Sequence, residues 1–428
     1  MRKIDDEIQM LLKEHHGNIR DILAENSRLD ILYALSEQRE LLLEWYDFAP
    51  EASLLQVGAD YGAMTGLFRT RVAEVIVLDP DREALDTAEL RCPGAANVRY
   101  HCGELAEYAQ QMAGRKGFDY VVFAGTLTAD YEAELQAAKT LLKESGVLIA
   151  AAANPLGMKY LAGTRDEENG MTRPQLETLF PGGQFYYPMP DYRTPISIYS
   201  DRYLPKKGDL TRITPAYDYP PYHMVDMGAK FDTVCEAGLF PQYANSYLVF
   251  WGADPARIQG ETERIFIKYN KTRKEEFQIK TCICEQTGDD GARKRFVEKA
   301  ALSLAGSAHI SSFKEKHAGL TRQHKTLKAA EPFFPKERNA VCFPYLVGQT
   351  WAEKLGAEIR GGKLPLSALT EAMGQIYDMD DQFRGAFVRT PEFDEAFGEG
   401  LSEEELGCFH RIRPVRRLIL THYLKTCF

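Results

Sequence analysis

The chain has 428 residues, of which 44% are hydrophobic and 27% charged, and this ordinary globular composition predicts about two or three domains. Its net charge of −10 argues against a broad nucleic-acid interface, because phosphate binding depends on clustered lysine and arginine. No apolar run approaches the roughly 18 residues of a membrane span, the charged first residues do not resemble a secretory signal, and the cysteines lack zinc-ligand spacing. We therefore expect a reduced, cytoplasmic protein with no transmembrane segment, no metal site and no nucleic-acid partner.

The first half of the chain changes its hydrophobic period near residue 47. Residues 1–46 carry apolar side chains at helical spacing, which predicts an N-terminal helical segment. Short apolar runs then alternate with helical stretches. The apolar runs are SLLQVG, EVIVLD, FDYVVFAG and GVLIAAAA, and the helical stretches include DREALDTAELR and AELQAAKTLLKES, the latter followed by Gly146 as a helix stop. This alternation predicts an α/β fold with a doubly wound, mostly parallel sheet.

The alternation of apolar runs and helical stretches ends near residue 155, and a stretch rich in tyrosine and proline follows. FYYPM and SYLVFWG are predicted to be the last two strands of the sheet, separated by an insertion at about 188–245. A domain boundary is predicted near residues 253–263. Downstream, the alternation in FIKYNKTRKEEFQIKTCICE and KRFVEKAAL predicts a small antiparallel sheet, and PLSALTEAMGQIYDM and RIRPVRRLILTHYL predict helices. The expected domains are therefore 1–46, 47–252 and 264–428.

The stretch LLQVGADYGAMTGLF suggests a ligand site. A buried strand that runs into Gly58, a turn with Gly62 and then a helix would bring backbone N–H groups close to a bound ligand. The dinucleotide fingerprint GxGxxG fails here because its middle glycine is replaced by Asp60. A P-loop is excluded because no GK[ST] follows. The alternative spacing GxGxG retains its first and third glycines.

Two acidic residues follow the next strands. Asp79 ends the second strand, where a carboxylate can accept hydrogen bonds from both ribose hydroxyls of an adenosine. Glu104 follows a third strand in VRYHCGEL, where the adenine end would lie. Taken singly, Asp79 could be a strand-end turn residue and Glu104 a neighbour of a helix N-cap. Their joint order along alternating βα units favours an adenosyl ligand.

Residues from about 32 to 252 resemble a class I S-adenosylmethionine-dependent methyltransferase, in particular the bacterial subgroup associated with cell-surface polysaccharide biosynthesis. The resemblance is carried by the glycine motif and by LSEQRELLLEWYDF, FDYVVFAGTL, NPLGMKYLAGTRDE, FYYPMPDY and YANSYLVF. It implies a Rossmann-like fold with S-adenosylmethionine as cofactor. The cofactor-binding residues that it implies are Gly58, Ala59, Asp60, Gly62, Asp79, Glu104, Leu105, Ala124 and Gly125.

The sequence departs from the family pattern at three positions. Asp60 replaces the usual second glycine and adds a charge where the cofactor's carboxylate should pass. Gln56 stands where an acidic residue is common, and Ala153 stands where the subgroup tends to have glutamate. A cofactor-free relative of the family is therefore a second interpretation of the same residues.

The acceptor side is predicted from the segment that follows the fifth strand. Tyr186, Tyr187 and Tyr192 would form a wall that suits a sugar, and Asp191 would be the base for a hydroxyl acceptor. The alternative is a packed aromatic cap in which Asp191 holds a turn.

Residues 264–360 resemble the N-terminal lobe of kinase-like folds that phosphorylate sugars or small alcohols. Lys299 would be the phosphate-binding lysine, Glu315 its ion-pair partner, and Gly348 the turn after a hinge strand. The catalytic loop of that family needs HxD and a downstream Asn, but His410 is followed by no aspartate at that spacing. We therefore expect a degenerate or truncated lobe, in which Lys299 is a surface or ion-paired residue.

Three functions remain open from the sequence. The first is methyl transfer from S-adenosylmethionine to a small-molecule or saccharide acceptor, or to its activated precursor, in association with glycosyltransferases. The second is a non-catalytic scaffold with the methyltransferase fold in a polysaccharide-assembly complex. The third is a small-molecule kinase, which the missing catalytic loop disfavours.

Overall fold

The structure is a computed structural model of the chain. It describes residues 4–362, apart from 116, 165–168, 212–224, 253–257, 259–261, 289–290, 324–328, 337 and 349, together with residues 370 and 374. The helices predicted at 365–379 and in RIRPVRRLILTHYL, and the position of His410, lie outside the described residues.

Helices and strands alternate through the first half of the chain. The N-terminal helices are Ile4–Glu14 (α1), Ile19–Glu25 (α2) and Leu29–Leu35 (α3), followed by a 3₁₀ helix at Glu37–Leu42. The alternating part comprises Ser53–Val57 (β1), Thr65–Arg71 (α4), Glu74–Asp79 (β2), Arg82–Arg91 (α5), Val98–Cys102 (β3), Leu105–Gln111 (α6), Phe118–Ala124 (β4), Tyr131–Leu141 (α7) and Leu142–Ala153 (β5).

The later elements are shorter helices and mostly antiparallel strands. They comprise Met158–Leu161 (α8), Arg173–Leu179 (α9), Gln184–Met189 (β6), Ser197–Ser200 (β7), Met227–Glu236 (α10), Phe240–Tyr243 (α11) and Ser246–Gly252 (β8). Downstream of these lie Thr262–Asn270 (β9), Ile279–Thr287 (β10), Arg293–Ala301 (β11), Ser307–Gln323 (α12), Ala340–Pro344 (β12) and Trp351–Arg360 (α13).

One sheet collects the described strands in the order β12-β11-β10-β9-β7-β6-β8-β5-β4-β1-β2-β3. Strands β3, β2, β1, β4 and β5 are parallel, as the alternating pattern predicted. The strand order reverses between β1 and β4, because the chain winds from β1 out to β3 and then returns to β4. In an open α/β sheet, ligands bind at the carboxyl ends of the strands beside such a reversal.

From β8 through β6, β7, β9 and β10 to β11, neighbouring strands pair antiparallel. Strand β8 lies antiparallel between β5 and β6, so FYYPM and SYLVFWG are indeed neighbouring strands of the sheet. The sheet then continues through β7 to β9, where Ile198 is paired with Ile267. The doubly wound, parallel arrangement predicted within residues 47–252 is therefore present in β1–β5. The antiparallel strands predicted downstream are also present as β9–β11, but they continue the same sheet.

The parallel part is covered on both faces, which gives it the Rossmann-like layering. One core contains Leu54 and Val77 from the strands with Phe68 from α4 and Leu85 from α5. The opposite core contains strand residues of the other parity, packed against side chains from α6, α7 and α9; its members include Leu55, Val121, Phe123, Leu105, Leu135 and Leu176. Side chains of successive strand residues point to opposite faces, so near-continuous apolar runs fill both cores.

Gly146 does not stop a helix. Helix α7 ends at Leu141, and β5 begins at Leu142. A Cβ at Gly146 would lie 2.9 Å from the Phe118 carbonyl oxygen and 3.0 Å from that of Lys143. The glycine therefore permits close packing beside β4, and the residues KES belong to the strand.

Two compact units are resolved by their internal contacts: residues 1–310 with 335–342, and residues 311–334 with 343–428. In the second unit, the rings of Phe313 and Phe343 lie 5.9 Å apart, and a capping box of Thr350 and Glu353 begins α13. The domain bounds 1–46, 47–252 and 264–428 stay predictions, because a continuous sheet does not say which of its parts fold independently. Among the described residues, no helix has the length and apolar character needed to cross a bilayer.

Candidate functional site

The predicted cofactor residues lie at one edge of the sheet. Gly58 follows β1, Asp79 ends β2, Glu104 follows β3, and Ala124 ends β4. Because these strands are parallel and adjacent, their carboxyl ends meet at the edge where the strand order reverses. The structure thus brings these four residues to one edge of the sheet, although Gly58 and Ala124 are 66 positions apart in the sequence.

The turn after β1 is built from left-handed backbone. Gly58, Asp60, Tyr61 and Gly62 all have positive φ, at 86°, 41°, 53° and 70°. The Gly62 N–H donates to the Ala59 carbonyl oxygen at 2.7 Å, which closes the turn. Asp tolerates left-handed backbone better than most residues with a side chain. The tight turn that a second glycine would form is therefore preserved with Asp60.

The side chain of Gln56 stabilises this turn through hydrogen bonds. Its side-chain amide nitrogen donates to the Gly58 carbonyl oxygen at 3.0 Å, and its amide oxygen accepts from the Thr65 hydroxyl at 2.9 Å. Thr65 is the first residue of α4. A neutral amide that donates and accepts can join the turn to the helix, which an acidic side chain in the same place could not do without a proton.

Asp79 faces the glycine turn. Its Oδ2 accepts the Ala59 backbone N–H at 2.8 Å, and its Oδ1 accepts the Asp81 N–H at 2.8 Å. The side chain is half-buried. A carboxylate has about four lone-pair sites, so each oxygen retains capacity for one further donor, such as a ribose hydroxyl.

Asp60 is bound to a buried arginine. Arg39, from the 3₁₀ helix Glu37–Leu42, donates to the Asp60 carboxylate and, at 3.3 Å, to the Ala124 carbonyl oxygen. The side chain of Arg39 is 6% exposed and that of Asp60 is 24% exposed. The charge that Asp60 adds to the turn is therefore balanced by a cation from the N-terminal segment.

The end of β4 forms the floor of the crevice. Thr126 donates its hydroxyl to the Val57 carbonyl oxygen, and a Cβ at Gly58 would lie 2.5 Å from the Thr126 Cβ. At Gly125, which has φ 84°, a Cβ would lie 2.2 Å from the Tyr192 ring. These two glycines are therefore required by the protein's own packing. Gly125 is nevertheless exposed on its remaining side.

Glu104 and Leu105 begin α6 after β3. The Glu104 side chain is exposed and does not cap the helix, whereas Leu105 packs in the core under the sheet. Gly103 is joined to the strand end by its N–H, which donates to the Asp79 carbonyl oxygen at 3.1 Å. Glu104 is thus positioned next to Asp79 at the sheet edge, with its carboxylate directed away from the core.

Asp191 is sealed inside the protein. Its Oδ2 lies 2.8 Å from Lys159 Nζ, and both side chains are 1% exposed. Its Oδ1 accepts the Arg193 N–H at 2.9 Å and the Thr194 N–H at 3.2 Å. Burial by itself raises the pKa of a carboxyl group, but the Lys159 ammonium holds the pKa of Asp191 below its ordinary value. These contacts agree with the alternative role, holding a turn, while the role as a base stays a prediction.

The three tyrosines predicted on the acceptor side occupy different surroundings. Tyr186 and Tyr187 are fully buried on opposite faces of β6. Tyr186 donates to the Arg264 carbonyl oxygen at 3.1 Å, and Tyr187 bonds to Asp201. Tyr192 alone among these three is described against the crevice, where its ring contacts Gly125 and lies 5.7 Å from the Arg39 guanidinium carbon. Tyr192 is also buried, at 3% exposure, so burial gives no support to an acceptor wall made from these three tyrosines.

A cavity of about 550 Å³ lies elsewhere in the first unit. It is lined by residues of α2, the 3₁₀ helix, the β9–β10 connection and the segment after β11, including Glu37, Glu40, Lys271 and Ser303. Burial raises the pKa of Glu40, which lines this cavity. None of the predicted cofactor residues lines it, so we describe it as separate from the sheet-edge crevice.

No protein-family model matches the chain, and no curated protein sequence matches it. Solved structures do match, at low similarity. The precorrin 8W decarboxylase of Methanobacterium thermoautotrophicum is 24% identical over 27% of this chain and 62% of its own, with a TM-score of 0.25. A SAM-dependent methyltransferase from Archaeoglobus fulgidus is 15% identical over 51% of this chain and 93% of its own, with a TM-score of 0.33.

A third match is the N-methyltransferase NodS from Bradyrhizobium japonicum in complex with S-adenosyl-L-homocysteine, 16% identical over 34% of this chain and 74% of its own, with a TM-score of 0.25. The chain spans only 62% of the length of the decarboxylase. The matched structures thus include SAM-dependent methyltransferases. The chain itself has a mixed α/β fold with a large sheet.

Sequence reasoning missed two residues at this edge. Arg39 lies in LSEQRELLLEWYDF and Lys159 in NPLGMKYLAGTRDE, both segments that carry the family resemblance. The sequence around Lys159 is otherwise apolar, which is a signal because a buried charge needs a partner. Arg39 is flanked by polar and acidic residues and gives no such signal. Their partners, Asp60 and Asp191, are both predicted site residues, but the sequence does not indicate which basic residue each aspartate contacts.

Proposed function

We propose that the chain binds S-adenosylmethionine at the carboxyl edge of β1, β2 and β4 and transfers its methyl group to a saccharide or an activated saccharide precursor. The observation that carries the proposal is the bond from the Ala59 N–H to the Asp79 carboxylate, at 2.8 Å. It fixes an acidic side chain against the glycine turn, at the reversal of the strand order, where a nucleoside would meet both.

The residues fit the nucleoside part of such a cofactor. Asp79 is half-buried and its oxygens have unused lone pairs, which suits two vicinal hydroxyls. Glu104 and Leu105 follow the neighbouring strand on the side where the adenine would lie. When bound, the cofactor supplies a methyl group on a sulfonium centre, so the protein's task is mainly alignment. The turn from Gly58 to Gly62 and the floor at Ala124 and Gly125 would provide that alignment.

The acceptor would approach along the segment after β6. The Tyr192 ring contacts Gly125 but is 3% exposed, so we propose that it supports the crevice floor from beneath. A hydroxyl acceptor also needs a base. Asp191 is the predicted base, and its ion pair with Lys159 supports instead a role in holding Tyr192 in place. The methyl-accepting atom is left open by these contacts.

Isothermal titration calorimetry with S-adenosylmethionine and S-adenosylhomocysteine tests the cofactor part of the proposal. We expect saturable binding of both ligands, and incubation with methyl-labelled cofactor should label saccharide acceptors from the same organism. A chain that releases no heat at millimolar ligand would contradict the proposal. Flanking glycosyltransferase genes would support the saccharide acceptor and the proposed association with glycosyltransferases in the cytoplasm.

A second candidate function is a non-catalytic scaffold that keeps the methyltransferase fold within a polysaccharide-assembly complex. The observation that favours it is the pair of Arg39 with Asp60, which places a protein carboxylate at the end of the crevice where the cofactor's own carboxylate should pass. Binding of S-adenosylhomocysteine without any methyl transfer, or no binding at all, would favour the scaffold.

For the second half, we propose a degenerate kinase-like lobe. The order of three antiparallel strands, a helix and a strand in β9, β10, β11, α12 and β12 supports this proposal. Lys299 lies on β11 and Glu315 on α12. Titration with ATP and Mg²⁺ tests it: we expect no binding, and saturable binding would favour the small-molecule kinase instead.

A further inference from the structure

The Arg39 guanidinium is an anion-binding group at the carboxyl edge of the sheet. It is enclosed by the Asp60 carboxylate, the Ala124 carbonyl oxygen and the Tyr192 ring. Its side chain is 6% exposed. A charged group that is enclosed by protein is costly unless it is paired, so the guanidinium requires an anion in contact.

The anion that it holds belongs to the turn itself. Asp60 directly follows Ala59, whose N–H is bonded to Asp79, so two adjacent residues of one turn contact the Arg39 guanidinium and the proposed ribose-binding carboxylate. The Asp60 side chain retains 24% of its surface, and its backbone has φ 41°. The pair is thus closed on the arginine side and open to solvent on the aspartate side.

We propose that Asp60 substitutes internally for the carboxylate of an incoming ligand, and that the two carboxylates compete for Arg39. This inference rests on the proposed function, because the adenosyl amino acid is the ligand that carries both a ribose for Asp79 and a carboxylate for Arg39. Ligand entry then requires the Asp60 side chain to leave Arg39 and turn into solvent. Asp60 therefore weakens the binding of the ligand to the crevice but does not abolish it.

Two ligands separate the carboxylate from the nucleoside. S-adenosylhomocysteine and 5′-methylthioadenosine share the adenosine and the thioether, and only the first carries the amino acid. Competition at Arg39 weakens the binding of S-adenosylhomocysteine and leaves the affinity for 5′-methylthioadenosine unchanged. A role of Asp60 that is merely structural would change the affinity for both ligands in parallel.

The experiment is calorimetry of both ligands with the wild-type chain, Asp60→Gly, Asp60→Asn, Arg39→Met and the double variant Asp60→Gly with Arg39→Met. Glycine adopts the left-handed backbone of position 60 without strain, and Asn keeps the side-chain size without the charge. We expect Asp60→Gly and Asp60→Asn to raise the affinity for S-adenosylhomocysteine by about tenfold to a hundredfold, the range for a charge-assisted hydrogen bond. The affinity for 5′-methylthioadenosine should not change.

Arg39→Met should abolish the gain in the double variant, since the ligand carboxylate then has no partner. Asp86→Asn is the matched control, because Asp86 forms an exposed pair with Arg82 on α5 and its loss changes the net charge equally; its affinities should match those of the wild type. Equal gains for both ligands, or an affinity for S-adenosylhomocysteine that none of the Asp60 and Arg39 variants changes, would overturn the inference and leave the proposed function standing. If neither ligand binds any variant, the proposed function itself fails.

Discussion

Two basic side chains reach the carboxyl edge of the sheet, and each holds one aspartate. Lys159 and Asp191 are both 1% exposed, whereas the pair of Arg39 and Asp60 keeps a quarter of the aspartate surface in contact with solvent. A sealed pair must be satisfied entirely from within, because a buried charge without a partner is costly. A pair that is open on one side can exchange its anion for one from solution.

The surroundings of the two pairs follow this difference. Asn245 joins the sealed pair to its neighbours: its Oδ1 accepts the Lys159 N–H at 2.9 Å, and its Nδ2 donates to the Pro190 carbonyl oxygen at 2.8 Å. The loop after β6 is thereby fixed, and it sets Tyr192 against Gly125. We infer that the sealed pair builds one wall of the crevice and that the open pair controls what enters it.

The largest expected effect comes from breaking the sealed pair. Asp191→Ala leaves the Lys159 ammonium buried without its carboxylate, so the free energy of unfolding should fall by about 3–5 kcal/mol. Urea unfolding followed by circular dichroism measures this loss. Asp86→Ala, which removes one partner of an exposed pair, should change the same quantity by less than about 1 kcal/mol. Equal losses would show that burial does not distinguish the two kinds of pair.

The wall itself can be tested at Gly125. Gly125→Ala places a Cβ 2.2 Å from the Tyr192 ring on a left-handed backbone, and the combined strain and overpacking should cost about 2–4 kcal/mol. Gly182→Ala is the matched control, since Gly182 has φ 74° and no heavy atom within 4 Å of the new Cβ; it should cost about 1–2 kcal/mol. If thermal unfolding finds the two variants equally destabilised, the ring does not rest on Gly125.

Asp79 tests the opening that the second pair is proposed to control. Asp79→Ala should weaken the binding of S-adenosylhomocysteine by about 1–3 kcal/mol, the cost of leaving hydrogen-bond partners unmatched. Asp119→Ala is the control, because Asp119 also accepts a backbone N–H, that of Ser53 at 2.8 Å, but at the amino end of β1. Calorimetry should find its ligand affinity unchanged. A wild-type affinity in Asp79→Ala would place the ribose elsewhere.

The smallest expected effect is the pH dependence of the sealed pair. The folded-state pKa of Asp191 lies below its ordinary value, so its carboxylate contributes stability that is fully present above the unfolded-state pKa of about 3.9 and is lost as the pH falls through the folded-state pKa. Asp191→Asn lacks this titration. The difference in unfolding free energy between wild type and Asp191→Asn should stay constant above about pH 5 and shrink in more acidic solution. A difference that widens on acidification would contradict the lowered pKa.

The sequence predicted the parallel part of the fold well because its strands are buried on both faces. Val75 and Val77 in EVIVLD lie fully buried, and Asp81 caps the following helix as the pattern DREALDTAELR indicates. The turn at Gly58 was predictable for a similar reason, since its left-handed backbone favours glycine. Local pattern and final structure agree wherever the local pattern reflects burial.

The remaining features depend on contacts between distant residues. Asp60 meets Arg39 across 21 positions and Asp191 meets Lys159 across 32, so neither pair is visible in a local pattern. The sheet continues from β6 to β9 through the four-residue strand β7. This strand is too short to show a clear alternation of apolar and polar residues. Gly146 had the form of a helix stop, but its packing beside β4 explains it.

The central claim is that an adenosyl ligand lies between the glycine turn and Asp79. A crystal structure of the full chain soaked with S-adenosylhomocysteine tests it most directly. We expect density for the nucleoside with both ribose hydroxyls on the Asp79 carboxylate and the thioether beside Gly58. A nucleoside bound anywhere else, or an empty edge at saturating ligand with Asp79 still bound to Ala59 and Asp81 alone, would contradict it.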